Sequence, residues 1–314
     1  MDYEVLVAGS GVAGLTAGLF AARHGRSTVV LGSQPGGALL SITRIDDFPG
    51  FPEGVAGYDL GPILQEQALA AGAEFSMSEL DGLRQVGGGW EALRAEGPVT
   101  ARTVILATGT EPRALGLPGE ERFAGRGISH CASCDGPLHR QNVVGVVGGG
   151  DSALLEALEL AQFAEGVVVL HRGSELRAQR VYRDRVDAQP KIQVRLGTVV
   201  EEVLGDDRLA GVRVRDAASG DTSSLELGGL FVYVGGRPRS EFLADLGVVD
   251  ELGHVETDAW MRTALPGLFA AGSLRAHSSG QAVSAAGDGA TAAVAAHRYL
   301  EAADRGAETA ATVA

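Results

Sequence analysis

The sequence predicts an α/β protein made of two Rossmann-like dinucleotide-binding domains of the three-layer ββα type, with the second domain inserted in the first. A glycine-rich turn between a strand-like run and a helix-like run occurs at residues 9–14 and again at residues 148–153. The length of 314 residues is that of about two domains. A content of 45% apolar and 21% charged residues is typical of a globular chain.

The charge and the hydrophobic pattern exclude several classes of partner. A net charge of −14 disfavours binding to nucleic acid or to an anionic membrane surface. No run of about 20 apolar residues is present to span a bilayer, and the first residues lack the pattern of a signal peptide. The sequence therefore predicts a cytoplasmic protein with no nucleic-acid or membrane partner.

The first glycine turn has the spacing of a dinucleotide-binding turn. Residues 4–8 have the pattern of a short buried strand, and an Ala- and Leu-rich helical stretch follows the turn. In such a turn Gly9 allows the tight bend, Gly11 lets the backbone approach a pyrophosphate, and Gly14 allows close packing of the helix on the strand. A single copy of this pattern is weak support for nucleotide binding.

The second glycine turn repeats the same order of elements. An apolar strand is predicted at residues 142–147 and a helix at residues 154–163, with Gly148, Gly150 and Ala153 between them. Two such turns, each between a strand and a helix, favour a protein that binds two dinucleotides.

The strand after the second helix indicates which nicotinamide nucleotide would bind. It ends in His171 and Arg172, about 20 residues past the glycines, where an acidic residue commonly binds the ribose 2′-hydroxyl. Arg172, with Arg177 on the same loop, suits a 2′-phosphate and therefore NADPH. The alternative is that both are solvated surface arginines.

The two cysteines of the chain, Cys131 and Cys134, form a single CxxC motif. In a reducing compartment this spacing indicates redox cycling or metal binding and not a structural disulfide. A structural zinc site needs about four ligands. His130 and His139 flank the pair, but further ligands at suitable spacing are missing, so no metal is expected.

Two strand-to-turn segments near Pro112 and Pro238 predict the places where the chain crosses between domains. The first domain would then consist of residues 1–112 and 240–314. The second would consist of residues 113–239 and carry the CxxC motif.

Seven short motifs give the chain a resemblance to the low-molecular-weight thioredoxin reductases, over nearly its whole length. The most specific is Cys131-Ala-Ser-Cys-Asp-Gly136, just before the second glycine turn; the others are residues 9–14, 35–37, 47–54, 107–110, 148–153 and 267–272. The resemblance implies FAD as prosthetic group, NADPH as donor, a homodimer, and a thioredoxin-like protein or small disulfide as substrate. It also implies that further residues contact FAD: Gly36, Gly37, Asp47, Thr108, Gly109, Gly272, Ser273 and Gln281.

The same resemblance assigns roles around the cysteine pair. Cys134 would lie nearer the flavin, with Cys131 as its disulfide partner, and which sulfur meets the substrate stays open. Asp135 directly follows Cys134 and is the natural acid–base group for the thiols. The alternative for Asp135 is a helix N-cap, and both roles are compatible. His130 is either a thiolate-stabilising or a structural residue.

Several positions that touch the flavin in that family carry other residues here. They are Ala38 in place of Gln, Asp47 in place of Asn, Ser273 in place of an acid, and Gly280 in place of the Arg of an Arg-Gln pair. In the nicotinamide-binding segment, Gly173 replaces a second Arg. Lost hydrogen bonds of about 1 kcal/mol each would weaken FAD binding or shift its potential without abolishing binding.

These departures keep other functions open. One alternative to a thioredoxin reductase is a dithiol oxidase that passes electrons to oxygen. A second alternative is a reductase that takes electrons from an iron–sulfur protein. A third alternative is a non-catalytic redox sensor with a degraded flavin site.

Overall fold

A computed structural model describes the backbone of residues 1–313 and the side chains of residues 1–306. The chain folds into two compact units. Unit 1 consists of Met1–Glu111 and Arg237–Ala314, and unit 2 consists of Pro112–Gly236. Unit 2 is therefore a continuous segment inserted into a unit built from both ends of the chain.

The described residues form seventeen strands and six α-helices. The strands are β1 (Tyr3–Ala8), β2 (Thr28–Leu31), β3 (Glu74–Ser76), β4 (Gly82–Val86), β5 (Gly89–Leu93), β6 (Val99–Leu106), β7 (Thr110–Pro112), β8 (Ile128–Ser129), β9 (Val143–Val147), β10 (Gly166–Leu170), β11 (Ile192–Arg195), β12 (Thr198–Gly205), β13 (Leu209–Asp216), β14 (Thr222–Glu226), β15 (Gly229–Val232), β16 (Gly236–Pro238) and β17 (Leu268–Ala270). The helices are α1 (Val12–Arg23), α2 (Gly57–Ala70), α3 (Ala132–Asp135), α4 (Asp151–Phe163), α5 (Arg180–Asp187) and α6 (Ala282–Val313). Five 3₁₀ helices are Gly37–Ser41, Glu120–Phe123, Gly136–His139, Glu241–Leu246 and Gly272–Leu274.

Unit 1 is organised around a seven-stranded sheet in the order β3-β2-β1-β6-β5-β4, with β17 also paired to β6. The strands β3, β2, β1, β6 and β17 are parallel, whereas β4 and β5 form an antiparallel hairpin beside β6. The ends of β1, β6 and β17 are in register, because Ala8 pairs with Leu106 and Leu106 with Ala270. The residues that follow these three strands therefore share one edge of the sheet.

Unit 2 contains a five-stranded parallel sheet in the order β11-β10-β9-β15-β8 and a three-stranded antiparallel sheet β12-β13-β14. Its parallel strands are short and Val-rich, which is expected when both faces of a strand are covered. Its carboxyl edge is formed by the residues that follow β8, β9, β10 and β15.

Alternate residues of each central strand pack into different cores, so each unit has three layers. In unit 1, Val5 and Val7 pack with helices α1 and α6, and Leu6 and Ala8 pack with the β4–β5 hairpin. In unit 2, Val144 and Val146 pack with α4 and α5, and Val147 packs with β12 and β13. The predicted fold class, two Rossmann-like α/β domains with one inserted in the other, is confirmed.

Over the residues that the structure describes, no helix combines the length and the apolar character needed to cross a membrane.

Candidate redox and nucleotide-binding site

The first glycine turn lies at the carboxyl edge of the unit 1 sheet and is closed by backbone contacts. Gly9 has φ +116°, and a Cβ atom added there would lie 2.2 Å from the carbonyl oxygen of Ala107. A Cβ at Gly14 would lie 1.8 Å from the carbonyl oxygen of Gly9. Only glycine fits at these two positions, because the atoms in the way belong to the backbone.

Gly11, unlike Gly9 and Gly14, faces open space. A Cβ added at Gly11 would meet no described atom within 4 Å. Gly11 is also the N-cap of α1, which has no side-chain cap and no acidic residue in its first turn within the described structure. The first N–H groups of α1 are thus available to an anion in front of Gly11.

Other predicted residues approach this turn through the backbone. The N–H of Gly36 donates to the carbonyl oxygen of Ser10 over 2.8 Å. A Cβ at Gly37 would lie 3.1 Å from the Cα of Gly11, and one at Gly272, with φ +74°, would lie 2.9 Å from the Cβ of Ala13. Three segments distant in sequence therefore meet at the start of α1.

Thr108 and Gly109 follow β6 at the same edge. The hydroxyl of Thr108 donates to the carbonyl oxygen of Arg239 over 2.7 Å. The N–H of Arg239 donates to the carbonyl oxygen of Gly109 over 3.0 Å. These two bonds fasten the returning chain of unit 1 beside the glycine turn.

Three other predicted residues take no part in these close backbone approaches. Asp47 is exposed on the loop 46–52, which lines a shallow hollow that is open to solvent. Ser273 is partly buried in the 3₁₀ helix Gly272–Leu274. Gln281 directly precedes α6, and its carbonyl oxygen accepts the N–H of Ala285.

A buried ion pair beside Gly272 was not predicted from the sequence. The guanidinium of Arg275 donates two hydrogen bonds to Asp288, of 2.6 and 3.0 Å, and the N–H of Gly272 donates to the same carboxylate over 3.1 Å. Asp288 is only 7% exposed although it lies in the Ala-rich helix α6. The sequence signal for this pair was an acid in the Ala-rich first half of α6.

The second glycine turn repeats the steric pattern of the first. Gly148 has φ +152°, and a Cβ there would lie 2.4 Å from the carbonyl oxygen of Tyr233 and 2.8 Å from the Cβ of Ala153. A Cβ at Gly150, the N-cap of α4, would meet no described atom within 4 Å. Each turn thus has one glycine that closes the bend and one that faces open space.

His171 and Arg177 are brought to this second turn. A Cβ at Gly149 would lie 2.3 Å from Nδ1 of His171, and the N–H of Arg177 donates to the carbonyl oxygen of Gly149 over 2.7 Å. Burial lowers the pKa of His171, and the nearby charges of Arg177 and Arg172 lower it further. The imidazole is therefore neutral at pH 7, while both arginine side chains are exposed.

The structure gives a steric reason for glycine at position 173. A Cβ at Gly173 would lie 2.8 Å from Nε2 of His171. Glycine at this position lets the loop pass close to the imidazole.

The cysteine pair lies at the carboxyl edge of the unit 2 sheet. Cys131 follows β8 by two residues, and Cys131 and Cys134 form a disulfide with an S–S distance of 2.10 Å. Cys131 is the N-cap of α3, and its sulfur accepts the N–H of Cys134 over 3.2 Å. Upon reduction, this N–H and the helix start would stabilise a thiolate on Cys131.

Asp135 and His130, the two predicted residues beside the cysteines, each form a hydrogen bond with a backbone carbonyl oxygen. The N–H of Asp135 donates to the carbonyl oxygen of Cys131 over 3.2 Å. Within the described structure, the Asp135 side chain does not cap the 3₁₀ helix Gly136–His139, so the N-cap alternative is not supported. Nδ1 of His130 donates to the carbonyl oxygen of Val232 over 2.9 Å, which favours its structural role.

Glu156 and Tyr233 lie beneath the CxxC turn and were missed by the sequence analysis. Oε2 of Glu156 accepts the N–H of Ala132 over 2.9 Å and the hydroxyl of Tyr233 over 3.0 Å. Burial raises the pKa of Glu156, and these two hydrogen bonds partly offset the rise. Burial, and then the Glu156 carboxylate, raise the pKa of Tyr233. The sequence signal for this site was Glu156 itself, an acid placed between the apolar residues Ala153 and Ala157 of α4.

The two turns fit the diphosphate groups of two nucleotides. Each offers an uncapped helix N-terminus behind a glycine with open space in front of it, which is what a pyrophosphate needs. For metals the result differs: among the described side chains, no three His, Cys, Asp or Glu residues are grouped to hold an ion.

Two nucleotide turns on separate parallel sheets, with a disulfide at the edge of the second, define a nucleotide-dependent disulfide oxidoreductase. Comparison with known proteins gives the family. Residues 3–290 match the sequence model of the pyridine nucleotide-disulphide oxidoreductases. The chain belongs to this family and, within it, to the thioredoxin reductases.

Three relatives illustrate the similarity. Thioredoxin reductase of Mycolicibacterium smegmatis is 40% identical over 310 residues, which cover 95% of this chain and 96% of the relative. NADPH-dependent thioredoxin reductase 3 of Arabidopsis thaliana is 40% identical over 307 residues, covering 95% of this chain and 58% of that longer protein. The crystal structure of Lactococcus lactis thioredoxin reductase superposes with a TM-score of 0.93 at 36% identity, covering 95% of this chain and 99% of that one.

Proposed function

We propose that the protein reduces the disulfide of a thioredoxin or a similar small redox protein, with electrons passing from NADPH through FAD to Cys131 and Cys134. The observation that carries this proposal is the placement of the disulfide at the sheet edge that also holds the second glycine turn. The names of the relatives support NADPH as donor and thioredoxin as substrate.

We assign FAD to the domain formed by residues 1–112 and 240–314. The turn of Gly9, Gly11 and Gly14 suits its pyrophosphate, because Gly11 faces open space at the N-terminus of α1. The other proposed FAD contacts are Gly36, Gly37, Asp47, Thr108, Gly109, Gly272, Ser273 and Gln281. The Arg275–Asp288 pair stabilises the turn at Gly272 where the acid of related proteins is replaced by Ser273.

We assign NADPH to the domain formed by residues 113–239. Its pyrophosphate would lie before Gly150, between Gly148 and Ala153 of the second turn. His171 supports that turn, and Arg172 and Arg177 supply two positive charges for the 2′-phosphate.

FAD, when bound, would supply a carrier of two electrons between NADPH and the disulfide. The electron pair breaks the Cys131–Cys134 bond and leaves one thiolate, while the other sulfur takes a proton. The thiolate attacks one sulfur of the substrate disulfide and forms a mixed disulfide, while the other substrate sulfur leaves as a thiolate and takes a proton from water. The second sulfur, deprotonated by Asp135, then displaces the reduced substrate and restores the Cys131–Cys134 bond.

Anaerobic titration with NADPH tests the proposal. Protein loaded with FAD is expected to lose its yellow absorbance and to expose two alkylatable thiols, because the electrons reach the cysteine pair. Retention of the oxidised spectrum, or a protein that stays colourless after incubation with FAD, would contradict the proposal. Oxygen consumption driven by a dithiol without NADPH would instead support the dithiol oxidase.

Replacement of Arg172 or Arg177 by alanine is expected to raise the KM for NADPH by roughly tenfold while the KM for NADH stays nearly constant. Each change removes a charged hydrogen-bond donor to the 2′-phosphate, worth about 1.5 kcal/mol. Steady-state kinetics with both nucleotides measure the effect. Arg180→Ala is the matched control, because this arginine is also exposed and is paired with Asp184. Equal KM values for NADPH in all three variants would support solvated surface arginines.

We also propose that the protein is a cytoplasmic homodimer. A reducing compartment suits a chain whose two cysteines form one CxxC pair. Exposed apolar side chains on α2, such as Tyr58, Ile63 and Leu69, provide a surface for a second copy.

A further inference from the structure

The first peptide of the CxxC turn is fixed by an acid from another element. The N–H of Ala132, directly after Cys131, donates to Oε2 of Glu156 over 2.9 Å. Glu156 projects from α4 next to buried Ala153 and Ala157, and its hydrogen bond to Ala132 links α4 to α3. A carboxylate therefore lies one peptide away from a redox-active sulfur.

The Glu156 carboxylate is surrounded by two hydrogen-bond donors and several titratable side chains. A single oxygen of Glu156 accepts both the Ala132 N–H and the Tyr233 hydroxyl, as expected of an ionised carboxylate. Two charged groups act on the pair: Glu159, one turn along α4, on Glu156, and Asp135, at the end of α3, on Tyr233. His139 of the following 3₁₀ helix lies near Asp135, and Tyr182 of α5 belongs to the same core as Tyr233. Among the described side chains, the Tyr233 hydroxyl is the one that donates a hydrogen bond to the Glu156 carboxylate.

We propose that Glu156 and Tyr233 are positioning residues that set the reduction potential of the Cys131–Cys134 pair. The Glu156 carboxylate disfavours a thiolate beside it and so favours the disulfide, whereas the Tyr233 hydroxyl moderates that effect. Reduction adds two electrons and, with one sulfur left as thiolate, one proton. This inference rests on the proposed function, since it concerns the same disulfide.

Glu156→Gln and Tyr233→Phe are expected to shift the potential in opposite directions. Glu156→Gln retains an acceptor for the Ala132 N–H but removes the charge. It should raise the ratio of dithiol to disulfide by roughly tenfold, the effect of about one unit charge at close range, which is about 30 mV for a two-electron couple. Tyr233→Phe removes the donor and leaves the charge, and it should lower the ratio.

The ratio is measured on the FAD-loaded protein in dithiothreitol redox buffers at pH 8, by alkylation and mass spectrometry. The pH dependence of the alkylation rate of the reduced protein gives a second readout. Glu156→Gln should lower the pKa of the reacting thiol, and Tyr233→Phe should raise it. A purely structural loosening of the turn would shift both variants in the same direction.

Glu159→Gln is the matched control, because it makes the same chemical change three residues further along α4 at a carboxylate bonded to Gln162. Its potential should equal that of the unmodified protein. Unchanged potentials in Glu156→Gln and Tyr233→Phe, or shifts of the same sign, would overturn the inference. Dithiothreitol replaces NADPH in this experiment, so failure of the proposed function would show separately as absent NADPH-driven reduction.

Discussion

Gly14→Ala is expected to give a destabilised protein that does not retain FAD. The added Cβ would lie 1.8 Å from the carbonyl oxygen of Gly9, so α1 must move away from β1. Overpacking of this kind costs about 1–3 kcal/mol, and rigid backbone atoms place the change at the upper end of that range. Denaturant unfolding measures the loss of stability, and the flavin absorbance of the purified protein measures cofactor content.

Gly11→Ala separates cofactor binding from stability. Its Cβ would meet no described atom within 4 Å, and the backbone at Gly11 is extended with φ −75°. The free energy of unfolding without FAD should change by less than about 0.5 kcal/mol, as for an unstrained surface site. The affinity for FAD should fall roughly tenfold or more, because the methyl group occupies the space in which a phosphate approaches.

A Gly14→Ala protein as stable and as yellow as the unmodified one would contradict the steric argument.

Cys131→Ser and Cys134→Ser are each expected to abolish turnover with thioredoxin while NADPH still bleaches the flavin. Loss of a catalytic nucleophile commonly costs at least about 10⁴-fold in turnover. Serine preserves the shape of the turn but cannot form the Cys131–Cys134 bond that stores the electron pair. Stopped-flow absorbance follows flavin reduction, and a coupled assay with thioredoxin follows turnover.

The double variant serves as the control for this expectation. Because the two sulfurs act as one unit, Cys131→Ser/Cys134→Ser should be no less active than either single variant. A single serine variant with substantial turnover would show that electrons leave the protein by a route other than this disulfide.

The glycine turns were predictable because the order strand, glycine turn, helix is visible in a continuous stretch of sequence. Gly14 approaches Gly9 within the turn, whereas Gly9 approaches Ala107, which follows β6 far along the chain. The glycine spacing indicates both approaches although it does not name the second partner. The CxxC motif was predictable for the same reason. The fold class followed from finding two such turns in one chain.

Residues that act through distant partners were not predictable in the same way. Glu156 meets Ala132 across 24 positions and Tyr233 across 77, and Arg275 meets Asp288 from outside the helix. Each is a polar residue whose hydrogen-bond or ion-pair partner lies on another element of the fold. A single sequence shows that an acid lies on an apolar helix face but does not show which donor it will meet.

The division of unit 1 between both ends of the chain affects how the protein forms during synthesis. Unit 2 is a continuous segment and has all its strands once Gly236 has left the ribosome. Unit 1 still lacks β17 and α6 at that point. The first glycine turn is therefore synthesised long before α6, the helix that packs against α1. At about 5–20 residues per second, translation of the remaining segment takes on the order of 4–16 s. During that interval unit 2 would have all its strands, whereas the unit 1 sheet would lack β17 and the helix α6 that covers one of its faces.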